Sequence, residues 1–336
     1  MNSVIPAEVD VAVIGGGPSG STVSTLIAQQ GYRVALFERD RHPRFHIGES
    51  LIPHTYSVLE RLNMLPKMKA SHFIKKYSVQ FINPAGRLSE PFYFVDHRPH
   101  ESSQTWQVRR SEFDLLMINN AREHGVQVYE ETRVQEVLFD GDRATGVRVQ
   151  QGEQTQTVKA QVVIDAAGQS SMLIDRFGLR QWDPELKKMA VWTYWKGAHR
   201  DVGRDEGATV VIQTDGKKGW FWYIPLHDDI VSVGVVSSQQ ELFGSHDARD
   251  LEAVYFEQVS RCPGVQPRIA NATRCDTFRA QREYSYRASQ VAGNGWVLVG
   301  DAFGFLDPLY SSGVLLALTS GAMAADAVVA GLNSGD

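Results

Sequence analysis

Val11 to Ile14 is a short apolar run of strand character. Glycines at positions 15, 16, 17 and 20 follow it, then a helical stretch from Ser21 to Gln30, then a second strand from Arg33 to Phe37 that ends at Glu38. Further along, Ile74 to Ile82, Met189 to Trp195, Thr209 to Gln213, Trp220 to Ile224 and Ile230 to Val236 show strand-like alternation or β-branched enrichment. Those segments predict a mostly antiparallel sheet. Val163 to Ala167 and Trp296 to Val299 read as strands that run into Gly168 and Gly300. The stretch from Val314 to Leu332 approaches membrane-span length, but Thr319, Ser320 and Asp326 interrupt it, and its glycine and alanine content suits close packing. It predicts a buried helix rather than a membrane span.

Composition narrows the partners. Of the 336 residues, 43% are apolar and 10% aromatic, as in an ordinary globular protein with a sizeable core. A net charge of -5 without a long basic run argues against nucleic acid or an anionic membrane surface and for a small molecule. Cys262 and Cys275 have no metal-type spacing and read as structural thiols. No basic-then-apolar leader is apparent, and the expected location is cytoplasmic. The sequon Asn271-Ala272-Thr273 would carry glycan only in a secreted protein.

The glycine turn carries the first chemistry. Gly15 permits a tight turn, Gly17 lets backbone approach a pyrophosphate, Gly20 allows the helix to pack closely on the strand, and Pro18 suits the first helical turn; Ser19 falls within the same turn. Glu38, about 20 residues on, is placed to accept hydrogen bonds from a ribose. That context makes a dinucleotide site of an otherwise weak glycine pattern. Gly300-Asp301, at the end of its strand, is similar to the second FAD motif of glutathione-reductase-type flavoproteins, in which the aspartate holds the ribityl chain.

Several further segments resemble the para-hydroxybenzoate-hydroxylase-like FAD oxidoreductases and, within them, the flavin-dependent halogenases of the tryptophan-halogenase-like family. Arg44 with Ile47-Gly48-Glu49-Ser50 resembles their P-R-x-x-I-G-E-S segment beside the flavin. Arg110 to Asp114 resembles the R-x-x-F-D helix start, and Asp165-Ala166-Ala167-Gly168 the strand ending in D-A-S-G, with Ala167 for serine. Trp220-Phe221-Trp222-Tyr223-Ile224-Pro225 matches the W-x-W-x-I-P signature that marks halogenases among flavoproteins. The implied fold is α/β: a glutathione-reductase-type, Rossmann-like FAD-binding domain of residues 1–70, 104–180 and 285–336, with an inserted, mostly antiparallel β-sheet substrate domain of residues 71–103 and 181–284. The C-terminal helical segment usual in the family is expected to be absent.

The resemblance also implies a reaction. Reduced flavin, supplied as FADH2 by a separate flavin reductase, reacts with dioxygen to a C4a-hydroperoxide that oxidises chloride or bromide to hypohalous acid. Ser312 and Gly313, in a D-P-x-x-S-S-G-V segment, would present backbone amides to the halide, and Gly313 also to the flavin. Lys76, in a segment similar to F-x-K-K-[FY]-G, would direct the oxidised halogen; Lys75 would face the other side of a strand. Trp220 and Trp222, two apart, would share one strand face. Tyr310 stands where free-tryptophan halogenases carry a glutamate base, which favours an electron-rich aromatic substrate of the phenol or pyrrole type, free or carrier-protein-tethered. No metal site is expected. The alternatives are an FAD monooxygenase hydroxylating an aromatic molecule or side chain, a reductase of isoprenoid double bonds, and a non-catalytic flavin-binding module.

Overall fold

The computed structural model describes residues 4–244 and 250–335, without the side chains of Glu283, Tyr284 and Pro308. The terminal positions 1–3 and 336 of the expected cofactor segments, and 245–249 of the expected insertion, lie outside it.

The first sheet grows from the glycine-turn unit. Strand Glu8–Ile14 and strand Val34–Phe37 pair in parallel on either side of helix Pro18–Ala28, with Ile14 level with Phe37. Strand Gln154–Asp165 lies parallel on the other side, with Asp165 level with Ile14, and Trp296–Leu298 follows with Leu298 level with Asp165. Four strands therefore end on one line, the carboxyl edge at which open α/β sheets bind ligands. Gln127–Tyr129 closes one edge, and Thr132–Asp140 with Arg143–Gln151 extends the sheet as antiparallel strands.

The second sheet has nine strands, and all of its pairings but one are antiparallel. Thr209–Gln213 matches its expected span, while Met189 to Trp195 forms the C-terminal part of a longer strand, Arg180–Lys196. Strand Gly219–Pro225 pairs with Ile230–Ser238 so that Trp222 stands opposite Gly234. A Cβ at Gly234 would lie 2.2 Å from Trp222 and 2.5 Å from Trp192, so only glycine leaves the indole its place. Phe221 and Tyr223 pack into the core around Tyr255, whereas Trp222 joins a separate cluster with Trp192 and Ile224.

The expected single strand from Ile74 to Ile82 is two strands. Ile74–Lys76 pairs with Thr105–Gln107 in a small sheet, while Ser78–Ile82 joins the nine-stranded one. At the break, the Tyr77 carbonyl accepts a hydrogen bond from the Phe94 amide. Strands Arg279–Ala288 and Gly304–Phe305, across and inside the expected cofactor segment 285–336, also belong to the nine-stranded sheet. The two sheets are thus stitched by strands rather than joined at a linker.

Helix Gly313–Ser334 is long and apolar enough by composition to cross a membrane. Its Gly321 nevertheless lies against helix Pro18–Ala28, close enough that a Cβ would come within 2.9 Å of the Ser19 carbonyl oxygen. Val314, Leu318, Ala322 and Ala325 are buried in the same core as Val11, Val23 and Ile118. Cys262 is buried, Cys275 exposed, and neither forms a disulfide.

Candidate functional site

A cavity of about 740 Å³ opens along the carboxyl edge of the parallel sheet and extends beneath the tryptophan-bearing strand. Its volume falls within the range of cofactor pockets, roughly 300–1,000 Å³. Gly15, at φ +100°, makes the turn into the helix, and its amide donates to the Phe37 carbonyl at 2.8 Å. A Cβ at Gly20 would stand 1.9 Å from the Gly15 carbonyl oxygen, so close helix-on-strand packing requires that glycine. Helix Pro18–Ala28 starts at Pro18 with no side-chain cap and no acid in its first turn. Its opening amides and positive dipole end thus face the cavity free to meet an anion. Gly17 and Ser19 are on the wall.

Glu38 closes the other side of the turn. Its Oε2 accepts from the Gly16 amide at 2.8 Å and its Oε1 from the Asp40 amide at 2.9 Å, which aims the carboxylate at the cavity. Arg44 lies 3.5 Å from Glu38 and 3.3 Å from Asp114. Arg110 grips Asp114 with two bonds of 2.8 and 3.0 Å and donates to the Ile47 carbonyl at 2.6 Å. Burial opposes charge on Asp114, but Arg110 and Arg44 outweigh it and hold the carboxyl below its usual range. One buried carboxylate therefore fixes both arginines on the cavity wall. Asp114 belongs to the R-x-x-F-D segment but had no role assigned from sequence; its i,i+4 spacing from Arg110 was the available signal.

Asp165 and Gly300 stand behind the wall. The Asp165 carboxylate is fully buried and accepts from Ala167 N, Ser171 Oγ and Leu173 N, so it shapes the turn that presents Gly168 to the cavity. Gly300, at φ +62°, packs on Ser19 and donates its amide to Ser320 Oγ at 2.8 Å. Asp301 is on the wall, where burial raises its carboxyl to about 6 against the pull of Arg110.

Deeper in, Glu49 and Ser50 head two hydrogen-bonded groups. Glu49 Oε1 accepts from the Tyr194 hydroxyl at 2.8 Å, and burial raises the Glu49 carboxyl to about 7 despite the neighbouring Ser232 hydroxyl. Ser232 Oγ in turn accepts from Trp222 Nε1 at 3.1 Å. Ser50 Oγ accepts from Lys76 Nζ at 2.8 Å and meets Thr209 Oγ1 at 2.8 Å, while Gln107 Nε2 donates to Thr209 Oγ1. Lys76 is 3% exposed, also donates to the Leu51 carbonyl, and is pushed down to about 7 by burial. Lys75 is exposed on the opposite strand face. Ser50, Thr209, Trp220 and Trp222 are on the wall; Lys76 is one hydroxyl behind it. Tyr194, Ser232, Gln107 and Thr209 come from separate segments and left no sequence signal.

At the far end, Ser311 takes φ +56° and helix Gly313–Ser334 begins with no side-chain cap and no acid in its first turn. Ser311 and Gly313 reach the wall, while Ser312, expected there, is the cap residue and does not. A second cavity of about 540 Å³ lies beyond Trp220 and shares Trp220, Val211 and Leu309 with the first; exposed Tyr310 belongs to it.

Two uncapped helix starts, an acid at the end of the second strand, two arginines and a wall of tryptophans fit an extended dianionic dinucleotide with an aromatic ring system. The fold and site define a flavoprotein of the dinucleotide-binding type. A family model described as tryptophan halogenase matches residues 97–332, and one described as FAD dependent oxidoreductase matches residues 10–174. The chain is 33% identical to the flavin-dependent halogenase armH2 of Armillaria mellea, over 99% of this chain and 67% of that protein. It is 31% identical to a pyrrole-2-carbonyl peptidyl-carrier-protein brominase of Pseudoalteromonas luteoviolacea, over 97% and 79% respectively. The structure of CmlS, a flavin-dependent halogenase, superposes with a TM-score of 0.90 at 34% identity, covering 98% of this chain and 59% of that one. The chain thus spans about two thirds of the length of its Armillaria relative and less of CmlS. It belongs to the tryptophan halogenase family of FAD-dependent oxidoreductases.

Proposed function

We propose that the chain carries the flavin and halide chemistry of a halogenase acting on an electron-rich aromatic substrate, with Lys76 directing the oxidised halogen. The observation that carries this reading is Lys76 itself. A lysine buried to 3% exposure, bonded to the wall residue Ser50 and titrating near 7, is poised to be uncharged in part at neutral pH.

Bound reduced FAD would supply, with dioxygen, the oxidising power that turns halide into hypohalous acid. Gly15, Gly17, Ser19, Gly20, Glu38, Arg44, Arg110, Gly168 and Asp301 would hold it. Asp165 and Gly300 support the turns behind them. Glu49 and Trp222, linked through Ser232, would line the ring end, and Trp220 would separate it from the second cavity, the proposed substrate chamber. The uncapped start at Gly313, with Ser311 and Ser312 preceding it, would hold halide by backbone amides.

The neutral Lys76 amine would attack the halogen of hypohalous acid, form a nitrogen–halogen bond and release water. Ser50 is the side chain through which Nζ meets the cavity. The substrate ring would then take the halogen and lose its proton, returning the amine. Tyr310 in place of an acid near the halide turn supports a phenol- or pyrrole-type ring, whose own electron release eases proton loss. Free and carrier-tethered substrates both fit this chemistry; the proposed partner is a separate flavin reductase, the proposed location cytoplasmic, and the two proposed domains are those set out from sequence, with strands Arg279–Ala288 and Gly304–Phe305 assigned to the inserted sheet.

The test incubates the protein with FAD, a flavin reductase, NADH, oxygen and bromide against mixed phenols, indoles and pyrroles. The expected result is a bromine isotope doublet that requires the enzyme. One added oxygen without bromine would replace the proposal with the monooxygenase.

A further inference from the structure

Three segments that carry the site meet again at the surface. His72 precedes the strand of Lys76, Glu112 sits on helix Arg110–Glu123, and His227 follows the strand of Trp220 and Trp222. His72 Nε2 lies 2.9 Å from Glu112 Oε2, and His227 Nε2 lies 3.1 Å from Glu112 Oε1. The imidazoles stand edge to face with centroids 4.3 Å apart.

We propose that His72, Glu112 and His227 form a binding site for one divalent transition-metal ion of the zinc class. Their ligand atoms all lie within 4.8 Å of one another. A tetrahedral ion with bonds of about 2.0–2.2 Å holds its donors roughly 3.2–3.6 Å apart, so no pair of these atoms has to close by more than about 1.2 Å to admit it. Two imidazole nitrogens and one carboxylate oxygen suit zinc and its first-row neighbours, whereas calcium and magnesium prefer oxygen alone. The Asp228 carboxylate, 3.7 Å from His227 Nε2 and largely exposed, is in reach as a fourth ligand.

The competing cation is Arg109, whose Nη1 lies 3.1 Å from Glu112 Oε1 and 3.7 Å from Asp228 Oδ2. Single-oxygen coordination through Oε2 leaves Oε1 to Arg109, and two carboxylates balance the charge of the ion. His72, with 68% of its side chain exposed, gives the ion a path from solvent. His227 Nδ1 is buried without a hydrogen-bond partner among the described residues. Outer partners of that kind are worth about 10–100-fold in affinity, so the lack of one at His227 should weaken binding by about that factor. A bound ion would clip together the segments that deliver Lys76, Arg110 and the tryptophan pair.

The test uses the whole chain with Cys275→Ser, which removes the exposed thiol as a rival ligand. Zinc is titrated against a chromophoric chelator, and cobalt is followed by its d–d absorption. The expected result is one equivalent bound, a tetrahedral cobalt spectrum without thiolate bands, and at least tenfold weaker binding in His72→Ala. Glu112→Gln should weaken it similarly, and zinc should raise the melting temperature of the parent alone. His72 is exposed enough that its alanine variant should fold, which circular dichroism checks. Absence of stoichiometric binding, or equal binding by His72→Ala, would overturn the proposal.

Discussion

Asp114→Asn should destabilise the protein more than any other single isosteric change at the cavity. The carboxylate is fully buried and is held by two bonds from Arg110, a side chain 5% exposed, while Arg44 stands 3.3 Å away at 16%. The substitution keeps the shape of the side chain but leaves Arg110 without its carboxylate partner and Arg44 with Glu38 alone, 3.5 Å away. Breaking a buried pair in this way costs about 3–5 kcal/mol. The partial exposure of Arg44 and the carbonyl bonds of Arg110 place the expected loss near the lower end, about 3 kcal/mol. Urea unfolding at pH 7 measures it as a lower midpoint with an unchanged slope. The sign in acid follows from the lowered pKa of Asp114. Its stabilisation is present above the unfolded-state pKa of about 3.8 and is lost as pH falls through the lower folded value. Wild type should therefore lose its advantage over the asparagine variant below about pH 4. A midpoint shift equivalent to less than about 1 kcal/mol at pH 7 would refute the view that the Asp114 carboxylate is the counter-charge of Arg110 and is shared with Arg44.

Gly234→Ala should disturb the indole cluster, because its Cβ would lie 2.2 Å from Trp222 and 2.5 Å from Trp192; a loss of about 1–3 kcal/mol with altered tryptophan fluorescence is expected. Glu38→Gln should weaken FAD roughly tenfold, the worth of one charge-assisted hydrogen bond, as read by flavin fluorescence quenching. Lys76→Met should raise stability at pH 7. The folded amine titrates near 7 instead of 10.5 because burial disfavours its charge, so wild-type stability should climb between those values while that of the methionine variant should not. Matched urea titrations at pH 7 and pH 9 give the comparison.

The glycine turn was legible because each of its residues answers a local steric demand. Gly15 makes the turn at positive φ, Gly20 admits the carbonyl, and Glu38 follows at the end of the next strand. Strands Thr209–Gln213 and Gly219–Pro225 were legible from alternation, and the two faces of the second strand separated as alternation requires. The break at Tyr77 was hidden because Lys76, Ser78, Gln80 and Ile82 are all buried, so the period of two continues through it. Asp165 ends its strand in line with Ile14, as a cofactor ligand would, yet its carboxylate turns back onto the following amides. The offset between Ser311 and Ser312 arises from a positive φ that serine does not announce. Gln107, Thr209, Tyr194 and Ser232 meet only through tertiary pairing, beyond the reach of spacing.

The most direct test of the central claim compares wild type with Lys76→Ala, each supplied with reduced flavin, oxygen and bromide, measuring brominated product by mass spectrometry and flavin reoxidation by absorbance in the same reaction. Brominated product lost in the variant while reoxidation continues at the wild-type rate is the predicted result. Equal bromination by Lys76→Ala would contradict it.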